Sequence, residues 1–305
     1  MLTLRMKMKL GAAVLMLLTL GALGKVVDNF KKCAGFFRDG NPPVFTTIRP
    51  RVSSDDADTR YVKICQSYKN QYRYATLYDT ANKIPVYSAY KYMRTVKCKV
   101  KRRKITWKIE PQVRNPTMQR LQTKQSTEND MTLQNKWPKS ELQAYKSDYD
   151  NSGYNRGHLY PHCHTPDEET SESTFTLTNA APQKWKFNDW WYKNVEAKVK
   201  IDLTTCVNAR RKSYVVTGVV PSTGEEPLTL KNSRVNVPTH FWTAYCCCYN
   251  NEQCQFRGFT MQKEDTTPEE FTSLDTFNNK LSALYNKTFK VWYSCTKVLR
   301  GGQGG

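Results

Sequence analysis

The chain has 305 residues, 39% hydrophobic and 24% charged, with a formal charge of +20. That length allows one large core or two small domains. The charge favours a polyanion such as nucleic acid, or an anionic surface, as partner; taken alone it is equally met in a basic exported protein kept soluble by its charge. Beyond residues 1–24 no stretch is long and apolar enough to cross a bilayer, and none carries a lipid-anchor signal.

Residues 1–24 carry Arg5, Lys7 and Lys9, an apolar run, and Ala22-Leu23-Gly24. This is the pattern of a cleaved signal peptide, and an uncleaved anchor helix is disfavoured because the run is short. Removal would take away three basic residues and no acid, leaving +17. The expected product is secreted and has no membrane span. All ten cysteines lie after the cleavage site, which reads as a disulfide-stabilised extracellular protein. Cys246-Cys247-Cys248 fall in a strand-like run, so neighbouring side chains face opposite ways and take different partners. A cysteine metal cluster is disfavoured, since no C-x₂-C pair is present.

Residues 25–60 read as an irregular lead-in tied by a disulfide. Between Val62 and Tyr92, two β-branched and aromatic runs flank Asp79-Thr80-Ala81-Asn82-Lys83, a hairpin by its turn chemistry. Lys97–Lys108 is strongly basic with Trp107 inside it, either a solvated face or a phosphate-contact surface. Residues 112–150 are polar and weakly periodic, and read as a long surface connection.

The chemistry concentrates between Tyr154 and Glu196. His158 is a general base by type, and Arg156 lies on the same face of an extended chain, where a fork of donors suits an anionic phosphorus centre. Further on, Trp191, Val195 and Val199 at four-residue spacing predict a helix with a buried stripe. On it Asn188 and Glu196, eight apart, set two oxygens roughly on one side. Few, hard oxygen ligands suit Mg²⁺, with Mn²⁺ as the alternative ion. His162-Cys163-His164 invites a zinc reading, which is disfavoured because the segment reads as a loop after Pro161 with a disulfide at Cys163. Asn179 reads as a buried amide that orders the turn after the second motif strand, with Pro182 opening the loop to the helix. Trp185, Trp190 and Trp191 read as packing residues, with base stacking as the alternative.

Ser213–Val220 predicts a buried strand, and Val235–Tyr249 with Gln255–Met261 a further antiparallel pair, with His240 packed in it outside the site. Thr267-Pro268-Glu269-Glu270 reads as a capping box opening a helix that carries Phe271, Leu274, Phe277, Leu281 and Leu284 on one face. Asn286-Lys287-Thr288 is a glycosylation sequon, expected to be exposed. Phe289–Cys295 is expected to close as a strand, and residues 300–305 form a Gly-rich tail.

Asn155-Arg156-Gly157-His158, Thr178-Asn179-Ala180-Ala181-Pro182-Gln183, Asn188 and Glu196 together resemble the DNA/RNA non-specific endonuclease family of the ββα-metal, or His-Me finger, fold. The family pattern is Asp-Arg-Gly-His, then Asn-x-x-Pro-Gln, an Asn nine residues after that Asn, and a Glu eight further on. Here Asn179 to Asn188 is nine and Asn188 to Glu196 is eight, and the one departure is Asn155 in place of Asp. The resemblance implies His158 as general base and Asn188 as the sole direct protein ligand of Mg²⁺. It also implies Glu196 on the ion's water and Arg156 on the pentacoordinate phosphorus. Tyr61–Gln66, Arg73–Asp79 and Ile84–Tyr90 are similar to a secretory-pathway branch of the family, whose longer members carry a hydrophobic C-terminal segment absent here. The position matching a second family arginine falls on Ile105, with Arg103 or Lys104 as replacements after a shift.

The expected fold is α+β: an antiparallel sheet core with a ββα-metal nuclease motif on one side, spanning residues 61–299. The expected function is Mg²⁺-dependent, weakly selective hydrolysis of DNA and RNA to 5′-phosphate ends. Asn155 and the missing second arginine motivate the alternative, a catalytically weak or inactive nuclease-fold protein that binds nucleic acid or a protein partner. Hydrolysis of another phosphodiester is the third reading.

Overall fold

The computed structural model describes residues 25–46, 60–95, 106–110, 112–113, 126–127, 140–230, 234–249 and 253–295. The first half contributes β1 (Lys25–Val27), β2 (Val44–Thr46), β3 (Tyr61–Tyr68), β4 (Gln71–Asp79), β5 (Ile84–Tyr92), β6 (Lys108–Ile109) and β7 (Ser126–Thr127). A short helix α1 (Lys146–Tyr149) precedes β8 (Asn155–His158), α2 (Glu168–Ser173) and β9 (Ala180–Gln183). Helix α3 (Trp185–Trp191) runs through a π-helical turn, Tyr192–Glu196, into α4 (Ala197–Asn208). The chain ends with β10 (Lys212–Val220), β11 (His240–Cys248), β12 (Cys254–Gln262), β13 (Glu269–Phe271), α5 (Leu274–Tyr285) and β14 (Thr288–Lys290).

Eight strands form one antiparallel sheet in the order β1-β3-β4-β5-β10-β11-β12-β13. Its central strands are buried on both faces, and successive side chains divide between two cores. Val215 and Val219 of β10, with Phe241 and Tyr245 of β11, join Phe187, Trp191, Val195, Val199 and Leu203 of the long helix. Val216, Val220, Trp242 and Ala244 point the other way, onto Phe277 and Leu281 of α5. The sheet thus lies between the helix carrying Asn188 and Glu196 on one side and the C-terminal helix on the other.

The turn at 79–83 forms as its chemistry predicts. Asp79 is 3% exposed and accepts from Ala81 N, Asn82 N and Asn82 Nδ2, while Arg60 closes a two-pronged pair on it at 2.8 and 2.9 Å. The run before it is itself a hairpin: Lys69 and Asn70 hold φ of 48° and 63° between β3 and β4, the backbone of a two-residue turn. Asn carries the only turn signal there, and Lys hides it.

Cysteine alternation is as expected. Cys246 bonds Cys295, Cys247 bonds Cys206 of α4, and Cys248 bonds Cys254. Cys33–Cys65 ties the lead-in to β3, and the lead-in also supplies β1 to the sheet and β2 as the partner of β14.

Four expectations change. Glu269–Phe271 is an edge strand on β12 rather than the first turn of a helix. Glu270 is held by Arg257 and by Lys198 at 2.6 Å, and Glu269 by Lys280 at 2.7 Å, so both carboxylates are committed across elements. The helix starts later, where Ser273 Oγ accepts from Thr276 N. The last strand stops at Lys290, because the Asn278 side chain takes Val291 N and Trp292 O in place of a ladder. The described end of the polar connection is buried rather than on the surface: Gln143 is 0% exposed and its amide bonds Glu110 N, Glu110 O and Val113 O. Pro182 lies inside β9 rather than opening a loop, which a two-stranded ribbon permits because both its strands are edges. Asn286 is exposed at the left-handed C-cap of α5, as its sequon predicts.

Gly218 of β10 faces Trp242, and a Cβ there would overlap both the indole and the Val86 carbonyl. Trp242 is fully buried and donates through Nε1 to Tyr285 Oη at 2.9 Å, so it has no free direction to retreat. Gly218→Ala is expected to destabilise the oxidised protein by about 1–3 kcal/mol, read as the midpoint shift in chemical denaturation. An unchanged midpoint would mean that the indole is not held as described.

Candidate active site

Strands β8 and β9 pair antiparallel, with Asn155 opposite Gln183 and His158 opposite Ala180. Gly157 lies beneath the Gln183 side chain, which fills the space a Cβ would need. Asn179 anchors the ribbon to the main sheet. It is fully buried; its Oδ1 accepts from Tyr160 N at 3.0 Å and Ser88 Oγ at 2.8 Å, and its Nδ2 donates to Tyr160 O and Thr174 O. The buried structural amide is as the residue type suggests, but it precedes the second motif strand instead of following it.

Arg156 and His158 share a face of β8, since both meet the Trp107 indole: the guanidinium at 5.0 Å and the imidazole at 4.9 Å between centroids. Phe175 and His162 close the imidazole's surroundings at 4.6 and 5.6 Å. Burial, aided by His162 and Arg156, holds the His158 pKa well below its usual 6.5. The ring is therefore neutral at pH 7. Its Nε2 is buried and has no hydrogen-bond partner among the described residues.

Asn188 lies in the first turn of α3, its N–H donating to Lys184 O at 2.9 Å. Eight residues of straight α-helix would leave Glu196 about 80° around the axis from Asn188. The intervening π turn closes i→i+5 and rotates less per residue, which brings the two side chains closer to one face. The Glu196 carboxyl is enclosed by protein although its residue is partly accessible, and burial raises its pKa to about 8.

His162-Cys163-His164 forms a 3₁₀ turn rather than an open loop. His164 is 2% exposed; its Nε2 lies 2.9 Å from Glu196 O and its Nδ1 2.8 Å from Tyr90 Oη. A carbonyl only accepts, so Nε2 carries the proton and Tyr90 donates to Nδ1. Both nitrogens are occupied, which speaks against zinc here. The turn after His158 thus grips the backbone of Glu196, a function the sequence reading missed; His164 gave no signal beyond lying near the motif. Trp107 and Phe175 went unrecognised for the same reason, being separated from His158 in the chain. Trp191 packs as expected at 2% exposure, whereas Trp185 is 66% exposed and is no core residue. Arg103, Lys104 and Ile105 lie outside the described residues.

The residues present fit a hard divalent ion. Neither the Asn188 amide nor the Glu196 carboxyl has a side-chain hydrogen bond among the described residues, and no cluster of three His, Cys, Asp or Glu side chains competes there. An oxygen-poor protein donor set leaves room for water and phosphate, the manner in which Mg²⁺ is held.

The sequence profile described as DNA/RNA non-specific endonuclease matches residues 58–297. Two curated relatives, both named endonuclease domain-containing 1 protein, are similar: the human protein at 33% identity over 74% of this chain and 40% of its own length, and the mouse protein at 29% over 77% and 42%. The chain therefore spans about two-fifths of these relatives. A solved structure titled as the EndoG/EndoGI complex and the mechanism of EndoG inhibition aligns at TM-score 0.47 and 18% identity, over 72% of this chain and 84% of that one. With its motif spacing carried on a β8–β9–α3 unit and the profile matched over most of its length, the chain belongs to the DNA/RNA non-specific endonuclease family.

Proposed function

We propose that the protein is an exported, metal-dependent endonuclease that hydrolyses phosphodiester bonds of DNA and RNA to 5′-phosphate ends. The observation that carries this reading is the neutral His158, its Nε2 buried and unpartnered, beside Arg156 on the ribbon that leads into the Asn188–Glu196 helix. Nε2 takes the proton from water as the oxygen attacks phosphorus in line and the 3′-oxygen leaves. Arg156 sets fixed positive charge against the pentacoordinate phosphorus. Asn188 would hold Mg²⁺, with Glu196 in its outer shell, and the ion would supply charge neutralisation at the phosphate and leaving oxygen. His164 keeps Glu196 in place through its carbonyl. Backbone-directed contacts by a basic surface give little sequence preference. The disulfides fit an oxidising compartment, and exposed Asn286 is open to glycosylation.

Plasmid DNA and RNA incubated with the oxidised protein are expected to be cut with Mg²⁺ and left intact with EDTA, and His158→Ala is expected to lose about 10²–10⁴-fold in rate. Wild-type protein that binds polynucleotide but cuts none over a broad range of metal and pH would instead support the binding-protein reading. The pH profile gives a separate check. Because the His158 pKa is depressed, its basic form persists below pH 6.5, so the acid limb of kcat/KM at saturating Mg²⁺ is expected below that value. An acid limb centred above it would count against His158 as the base.

A further inference from the structure

One face of the long helix carries Trp185, Asn188 and Tyr192, spaced three and four residues apart. Side chains at such spacings neighbour one another on a helix. An adjoining stripe, Phe187, Trp191, Val195 and Val199, is buried against the sheet. On the outward stripe the aromatics are uncovered: Trp185 is 66% exposed and Tyr192 46%. Neither ring has a ring–ring or ring–cation contact among the described residues, whereas most other tryptophans in the described chain are packed. Lys184, Lys186 and Lys193 stand exposed around them, Lys184 over the Tyr154 ring and Lys193 in an ion pair with Asp189.

We propose that Trp185 and Tyr192 stack the unpaired bases on either side of the scissile phosphate, and that the enzyme prefers single-stranded DNA and RNA to duplex. This rests on the reading of Asn188 as the metal ligand. Along the helix axis the two residues stand about 4.5 Å before and 6 Å beyond Asn188, roughly 10 Å apart. Bases still stacked in a duplex step by only about 3.4 Å per strand and keep their faces covered, so they offer these rings nothing to stack on. A single strand held by its phosphate at Asn188 turns splayed bases outward, and the neighbouring lysines attract its backbone. Stacking on aromatic faces tolerates any base, which agrees with a weakly selective nuclease.

The test uses the oxidised full chain with a labelled oligonucleotide, single-stranded and annealed to its complement. Binding is read by anisotropy in EDTA and cleavage by initial rate in Mg²⁺. Trp185→Ala and Tyr192→Ala are expected to weaken single-strand binding and cleavage by about 5–150-fold each, to change the duplex values much less, and to leave the melting temperature in place. Trp185→Phe, which keeps a ring, is expected to retain most of the preference. Equal losses on both substrates, or none, would overturn the proposal. If the rings matter for binding in EDTA while no variant or wild type cleaves, stacking survives and the hydrolytic reading fails. If cleavage proceeds untouched by either alanine, only the stacking fails.

Discussion

The site depends on one buried amide. Asn179 joins three pieces of chain that no ladder connects: β5 through Ser88, the exit of β8 through Tyr160, and the end of α2 through Thr174. A fully buried Asn whose donors and acceptors are all used has one workable orientation. With it set, β9 runs on directly from Asn179, and only Lys184 separates Gln183 from the helix of Asn188. The candidate base on β8 and the candidate metal ligand on the helix that follows β9 are thus placed from a common point.

Around that point the protein arranges groups that rest uncharged. Burial, aided by His162 and Arg156, holds the His158 pKa down, and burial raises that of the Glu196 carboxyl to about 8. Under the proposed reading, a divalent ion at Asn188 would stand near the Glu196 carboxyl and a phosphate would lie against Arg156. The Tyr90–His164 pair lines the same small cavity as Glu196 and holds its backbone carbonyl.

Much of this was legible in the chain because it is written in local spacing. The Arg-x-His alternation gives one face of a strand, and the buried four-residue stripe gives a helix. The three successive cysteines give three partners. What stayed hidden depends on distant residues. Trp107 and Phe175 enclose His158 from separate segments, and nothing in either stretch marks them as its neighbours. Glu269 and Glu270 have the letters of a capping box, yet Arg257, Lys198 and Lys280 draw them into an edge strand. Gln143 looks like part of a polar linker, but its amide completes the backbone bonding of Glu110 and Val113. Trp185 carries the opposite lesson: a large apolar residue beside other tryptophans suggested packing, and only the helix register shows that it faces outward.

The π turn at Tyr192–Glu196 amounts to one residue more than an α turn would contain. The helix ahead of it must place Asn188 while seating Phe187 and Trp191, and the π turn and the helix behind it must bring Glu196 to Asn188's side with Val195 and Val199 still seated. A uniform α-helix has one phase, and carrying that phase through both halves would rotate either the acid or the valines out of place. The extra residue is a phase correction within a continuous rod. It is also why sequence comparison at this point should be read by residue count: a single deletion between Tyr192 and Glu196 would leave every residue of the motif present while setting its two halves out of step.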